Sequence, residues 1–227
     1  MLLAVAAVVG VVLSAVIALA GAPLVGVPVG VVVGALVAGW IWSGAERRVL
    51  RALGARAVSP AEQARLHNVT EGLCVVAGLP KPALYVIDDP AANALAVGRD
   101  GRRAALVVTT GLLESLERIE LEGVIAHELA HVKALDSRLG TVAAALAPLG
   151  SWAIAAAVGV DREEAADAAG VALTRYPPGL LRALQKLATA STSVRAGARA
   201  AGHLWLVPAV PPGRPIDHRI DALRELS

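Results

Sequence analysis

A chain of 227 residues is long enough for one sizeable domain, and its 56% hydrophobic share lies above the usual soluble range. The formal net charge of +2 is too small to argue for a nucleic-acid partner. The single cysteine, Cys74, excludes an intrachain disulfide framework and fits a reducing compartment.

The apolar excess is concentrated at the start. Residues 1–45 carry no charged side chain, and Glu46 is the first. Residues 2–20 form one apolar run, Gly21-Ala22-Pro23 a break, and residues 24–42 a second run. Each run is about long enough to cross a ~30 Å hydrocarbon core. A cleaved signal peptide fits poorly, because no basic n-region precedes the first run and a second follows at once. Gly30, Gly34 and Ala38 have the small-xxx-small spacing that lets the two runs pack closely, a reading preferred to a dimer interface. Trp40 and Trp42 stand where an interfacial aromatic belt would be. Arg47, Arg48, Arg51 and Arg56 follow, and this bias predicts an in–out–in hairpin with the rest of the chain in the cytoplasm. The same arginines suit anionic lipid. Residues 1–45 thus read as a transmembrane helical hairpin, 46–58 as a basic juxtamembrane linker, and 59–227 as one further domain.

Within that domain, Ser59-Pro60-Ala61-Glu62 has capping-box spacing with proline at the first helical position. Leu66, Val69, Leu73 and Val76 mark the apolar face of the helix that follows, and Gly78 with Pro80 ends it. Residues 83–88, 94–98 and 104–109 read as short strands. A helical segment opens at Gly111, and a second helix runs from about Arg118 to Leu135, with Ile125, Leu129, Val132 and Leu135 at core-facing spacing.

That second helix carries the clearest chemistry in the chain. Residues 127–131 read His-Glu-Leu-Ala-His, so two histidines four apart share one helix face and can share a Zn²⁺ ion, one per chain. Glu128 is placed to take a proton from a water held on that ion. The bland alternative is two surface histidines on an ordinary helix, and the core-facing spacing around them argues against it.

Residues 139–160 are almost wholly apolar, with Pro148 and Gly150 near the middle. Asp161-Arg162-Glu163-Glu164 then has capping-box form with Asp161 as cap, which puts Glu163 and Asp167 one turn apart on a helix face. Tyr176-Pro177-Pro178-Gly179 breaks that helix and another spans roughly 180–190. Residues 191–202 read as a small polar loop. A proline-rich stretch from Pro208 to Pro215 precedes a short amphipathic helix, Ile216 to Leu226.

Two histidines leave a hydrolytic zinc site one protein ligand short. His67, His203, His218 and Cys74 lie elsewhere along the chain, and spacing leaves Glu163 and Glu164 as rivals. Asp167 is placed to accept the free N–H of His127 or His131 and so fix the imidazole orientation.

The residues also carry a family resemblance. The chain resembles the HtpX-like family of membrane-bound zinc metallopeptidases, relatives of the CAAX prenyl proteases. The match runs in order through the two N-terminal apolar runs, His67-Asn68-Val69-Thr70-Glu71 before Gly78-Leu79-Pro80, and Asn93-Ala94-Leu95-Ala96 with Gly98-Arg99. It continues through Thr110-Gly111-Leu112-Leu113, the His-Glu-Leu-Ala-His segment, Glu163-x-x-Ala166-Asp167 and Arg219-Ile220. The resemblance implies Glu163 as third ligand and a role in quality control of membrane or misfolded proteins. Three departures stand out. The family commonly has two membrane spans where only 139–160 is available. Its C-terminal His-Pro-Pro has Gly213 at the histidine position. Leu95 stands where the family often has Phe.

The expected architecture is α+β: an N-terminal two-helix transmembrane hairpin followed by a mainly helical zincin-like metallopeptidase domain with a small β-sheet. The expected activity is hydrolysis of protein or peptide substrates by a membrane-anchored zinc endopeptidase, a multi-pass protein of the cytoplasmic membrane whose catalytic domain faces the cytoplasm. The strand at 94–98 is expected at a sheet edge beside the metal, making Asn93, Ala94, Leu95 and Ala96 candidate substrate-binding residues. Arg219 and His203 are candidates for transition-state stabilisation, with a structural salt bridge preferred for Arg219. A non-catalytic zinc-stabilised membrane scaffold is the alternative, and Glu128 argues against it, because a structural site needs no general base. A prenyl-substrate protease would need an enclosing multi-span chamber that two spans cannot build. A single crossing by 139–160 would part Glu163 from the histidines by ~30 Å. Two short helices turning near Pro148-Leu149-Gly150, without crossing, are expected instead.

Overall fold

The computed structural model describes residues 2–98, 102–135, 137, 141, 162–195, 202–208 and 215–226. It divides into two compact units, Met1–Arg48 and Val49–Ser227. The first unit holds α1 (Leu2–Leu19) and most of α2 (Pro23–Ala52), separated at Gly21, whose φ is +91°. Small residues let these helices touch backbone to backbone. A Cβ on Gly30 would overlap the Gly10 carbonyl and the Ser14 hydroxyl, and one on Gly34 would overlap the Ala6 carbonyl. Valines and leucines elsewhere on both helices face outward, among them Val8, Val12, Leu24 and Leu36. Among the described residues one helix, Leu24–Ala52, is long and apolar enough to cross a membrane, and Val5–Leu19 is a shorter apolar helix. The Arg48 guanidinium sits 4.5 Å from the centre of the Trp40 ring.

The second unit is built on a four-stranded sheet of order β1-β2-β4-β3. Its strands are β1 (Arg56–Ala57), β2 (Ala83–Ile87), β3 (Ala94–Gly98) and β4 (Ala104–Thr109). β2 and β4 run parallel, and the other two pairings are antiparallel. Every residue of β4 is buried, because alternate side chains feed two apolar clusters on opposite faces. Ala104, Leu106 and Val108 join the larger cluster with residues of α3 (Ala64–Ala77), α5 (Arg118–Ala134), α7 (Pro177–Thr189) and α8 (Ile216–Glu225). Ala105 and Val107 join Leu53, Leu95, Val97, Leu204 and Trp205. A short α4 (Thr110–Ser115) leads from β4 into α5, and α6 (Arg162–Thr174) lies along α5.

Several boundaries differ from the sequence reading. Ser59 and Glu62 make the reciprocal contacts of a capping box, with Ser59 N donating to Glu62 Oε2 at 2.9 Å, but they close a turn. Helix α3 starts only at Ala64, after Gln63 leaves helical geometry at φ −133°. Val76 is exposed and Ala77 buried instead. At 100° per residue, a position ten after Leu66 falls ~80° off the apolar stripe and one eleven after returns to within ~20°. Leu135 is likewise 43% exposed, because it caps α5 in the left-handed region at φ +60° instead of extending the core face. The prolines at 177 and 178 begin α7 as well as ending α6. β1 has no counterpart in the sequence reading, since two residues carry no periodicity.

The expected capping residue Asp161, the apolar stretch 139–160 apart from Thr141, Gly213 and much of 191–202 and 208–215 lie outside the described residues.

Candidate metal centre

Helix α5 is secured before it reaches the histidines. Glu117 caps it, with Glu120 Oε2 accepting from Glu117 N at 2.8 Å, and Lys186 of α7 pairs with the same oxygen at 2.7 Å. Ile125, Leu129 and Val132 hold one face in the core. That turns His127 and His131 together toward α6, with their rings edge to face at 4.7 Å between centroids. Their Nε2 atoms are 3.1 Å apart. Glu163, in the first turn of α6, completes the group: Oε2 lies 3.4 Å from His127 Nε2 and Oε1 3.5 Å from His131 Nε2. All three side chains are buried, and they form the one His/Cys/Asp/Glu group among the described residues spaced to hold a metal ion. Ligand atoms on a tetrahedral metal with bonds of 2.0–2.1 Å stand about 3.3 Å apart, so these three side chains fit zinc.

Asp167, one turn beyond Glu163, places Oδ1 2.8 Å from His127 Nδ1. Burial opposes the charge on Asp167, but the Arg219 hydrogen bonds and the nearby His127 imidazole outweigh it and hold the carboxyl below its ordinary range. Arg219 is 3% exposed and grips Asp167 through two 2.7 Å bonds, Nε to Oδ2 and Nη2 to Oδ1. Its Nη1 donates to the Leu206 carbonyl at 2.7 Å. The guanidinium is thus engaged in a buried ion pair, as the structural reading of Arg219 has it.

Glu128 is 1% exposed, and neither carboxylate oxygen has a hydrogen-bond partner. Burial pushes its pKa up, and the two imidazoles pull it only part of the way back. A carboxylate so placed is costly unless something polar faces it.

Glu164, the rival of Glu163, turns the other way and meets His218 Nδ1 at 3.2 Å. His67 bonds the Val58 carbonyl through Nε2 and is not one of this group, and Cys74 is buried on the same helix α3. His203 sits half-buried near the centre, its carbonyl accepting from Arg162 Nη2 at 3.2 Å. Asn93 is fully buried and fully engaged. Its Nδ2 donates to the carbonyls of Thr192 and Val207 at 2.9 Å, and its Oδ1 accepts from Ala94 N and Val207 N at 3.0 and 3.1 Å. It therefore anchors β3 and leaves no side-chain group over for a ligand.

β3 is an edge strand, and 202–208 crosses part of its rim: Leu206 N donates to Ala94 O at 2.8 Å and Trp205 bridges Leu95. At the other end Gly98 N donates to Thr141 Oγ1 at 2.9 Å. Alternation along the strand turns the N–H and C=O of Ala96 away from β4, to the side that 202–208 approaches through Trp205 and Leu206, and Ala96 is buried there.

Two residues at the centre had no role in the sequence reading. Arg162 donates to Glu163 Oε1 from Nη2 at 2.9 Å and from Nε at 3.3 Å. As part of an apparent capping box it gave no separate signal. A Cβ on Gly170 would lie 2.9 Å from His127 N and 3.1 Å from His127 Cα, so α6 meets α5 here only because residue 170 has no side chain. Its signal was legible, a lone glycine in a helical pattern seven residues after Glu163.

Comparison with known proteins gives the same direction. Residues 60–196 match peptidase family M48. A protease HtpX homologue of Tropheryma whipplei is 34% identical over 221 residues, covering 76% of this chain and 76% of the relative. Homologues so named from Dictyoglomus thermophilum and Thermoanaerobacter pseudethanolicus are 34% and 31% identical, covering 82% and 83% of this chain and 77% and 81% of their own. The Tropheryma alignment runs over more positions than the 76% of this chain that it uses, so that relative carries insertions this chain lacks.

Proposed function

The chain belongs to peptidase family M48 as an HtpX-like metalloprotease, and on that premise we propose a zinc-dependent endopeptidase anchored in the membrane and acting on protein or peptide chains. The observation that carries the mechanism is Glu128: both oxygens are buried and unpartnered beside three side chains at metal-ligand spacing. His127, His131 and Glu163 are the ligands. Zinc held there would polarise a peptide carbonyl and acidify a water to near neutrality. Glu128 takes the proton of the attacking water and passes it to the leaving amide nitrogen. Its upward pKa shift suits a group that must both accept and release a proton. Asp167 holds the His127 tautomer through Nδ1, and Arg219 keeps Asp167 ionised.

An extended substrate would pair with the rim of β3 at Ala96, with Ala94 and Leu95 beside it and Asn93 fixing the strand from behind. Main-chain pairing of this kind tolerates many sequences, which suits quality control of membrane or misfolded proteins. The Glu128→Gln enzyme tests the reading: zinc retained with proteolysis lost supports it, and normal cleavage sinks it. The scaffold alternative gives no use for an unpaired buried carboxylate.

Residues 1–45 form a transmembrane hairpin in this reading, 46–58 a basic linker on anionic lipid and 59–227 the catalytic domain, on the cytoplasmic side. Outward-facing valines and leucines on α1 and α2 support the insertion. The 3.5 Å between His131 and Glu163 supports a reading in which the intervening segment starts and ends on one side of the membrane.

A further inference from the structure

The two oxygens of Glu163 are not equivalent. Oε1 accepts from Arg162 at 2.9 Å and 3.3 Å and lies 3.5 Å from His131 Nε2. Oε2 is buried with no hydrogen-bond partner, 3.4 Å from His127 Nε2. Arg219 Nη1 is also 3.4 Å from Oε2 but makes no hydrogen bond to it, its bonded hydrogen going to the Leu206 carbonyl. A metal ion sharing Oε1 would compete with the two Arg162 hydrogen bonds on the same atom, whereas Oε2 accepts no hydrogen bond and keeps its lone pairs for a metal.

We propose that Arg162 is a positioning residue that takes Oε1 of Glu163 and leaves Oε2 as the single metal-binding oxygen. The inference rests on the zinc reading above. Arg162 can do this because it is itself held. Its side chain is 12% exposed, and Nη2 also donates to the His203 carbonyl at 3.2 Å. The fork of the guanidinium bridges the ligand on α6 and the segment that crosses the rim of β3. With Oε1 engaged, Glu163 binds through one oxygen, and the site keeps a position for water and substrate instead of filling it with a second carboxylate oxygen. Lysine keeps the charge but lacks the planar fork that fixes the guanidinium across both acceptors.

The test uses the full chain purified in detergent, stripped of metal, with zinc affinity measured by competition against a chromophoric chelator. Co²⁺ replaces zinc in a second sample, because its visible absorption weakens as coordination number rises. Thermal unfolding reports the fold. Arg162→Gln is expected to bind zinc about 10- to 100-fold more weakly and to show a weaker Co²⁺ band, as Glu163 swings to bind through both oxygens. Arg162→Lys, which keeps a charge at Oε1, is expected to keep the wild-type band, with an affinity between the two. Wild-type affinity and band in Arg162→Gln overturn the inference. So does an affinity loss with an unchanged band, which marks a general charge effect. Arg162→Ala is read by the same criteria should Arg162→Gln not fold. Absence of zinc binding in the wild type sinks the metal reading itself and is distinct from these outcomes.

Discussion

Nδ1 of His127 lies 2.8 Å from Oδ1 of Asp167, and that contact leaves Nε2 as the nitrogen facing His131 and Glu163. The same carboxylate carries the buried Arg219 guanidinium. Asp167→Asn keeps the shape but removes the charge that both neighbours need. Zinc affinity should fall by about 10- to 100-fold, and stability by about 3 kcal/mol, since a buried cation loses its partner. Chelator competition and urea unfolding measure the two separately, and unchanged affinity would show that Asp167 does not orient the ligand.

Glu128→Gln isolates the chemistry from the metal. Glutamine is isosteric and still bonds water, but it cannot accept a proton. The variant should hold one zinc per chain and lose casein cleavage by about 10²-fold or more. His127→Ala should instead lose metal together with part of the fold, because ligand binding and folding are coupled.

Gly170 and Gly123 separate fit at the centre from fit elsewhere on α5. A Cβ on Gly170 meets the backbone of His127 at 2.9 Å, and one on Gly123 meets Leu180 N of α7 at 2.5 Å. Either alanine should destabilise by about 1–3 kcal/mol through overpacking. Only Gly170→Ala should also weaken zinc binding, because it pushes α6, with Glu163 and Asp167, away from the histidines. Equal zinc affinity in both variants would make Gly170 a packing residue alone.

How far the centre could be read from the chain follows from the same geometry. His127 and His131 were legible because both sit on one helix, where spacing fixes direction. Glu163 and Glu164 could not be told apart by spacing, because the choice depends on how α6 is rotated against α5, and Gly170 and the Asp167–Arg219 pair set that rotation. The three longer strands were legible from runs of β-branched and small apolar residues. The segment at 202–208 was not, since its partners Asn93, Ala94 and Leu95 lie more than a hundred residues earlier and no local pattern announces the pairing. Asn93 was read as a substrate contact because it adjoins the edge strand, and only the positions of Thr192 and Val207 reveal it as an anchor.

Ala96→Pro tests the rim of β3. The Ala96 N–H faces away from β4, so proline there costs the sheet no pairing with β4. Losing one main-chain bond to an extended substrate costs about 1 kcal/mol, roughly fivefold in KM. Leu95→Pro is the contrast. Leu95 pairs with Val107, so that variant should lose stability. An unaltered KM in Ala96→Pro with the fold intact would exclude pairing at this position.

The membrane arrangement is open to labelling in intact cells. Ala22 is exposed at the turn between α1 and α2, Leu135 is exposed at the end of α5, and Ala168 is exposed on α6. The one native thiol, Cys74, is buried and gives little background. With two spans and the arginines that follow Trp42 on the cytoplasmic face, a membrane-impermeant maleimide should reach Ala22→Cys from outside. It should reach Leu135→Cys and Ala168→Cys only after permeabilisation. Leu135 and Ala168 flank 136–161, so their agreement also tests whether the chain returns to the side it left. Protection of Ala22→Cys from outside would mean that α1 does not span. Labelling of Ala168→Cys from outside with Leu135→Cys protected would put a crossing between them and remove Glu163 from the histidines.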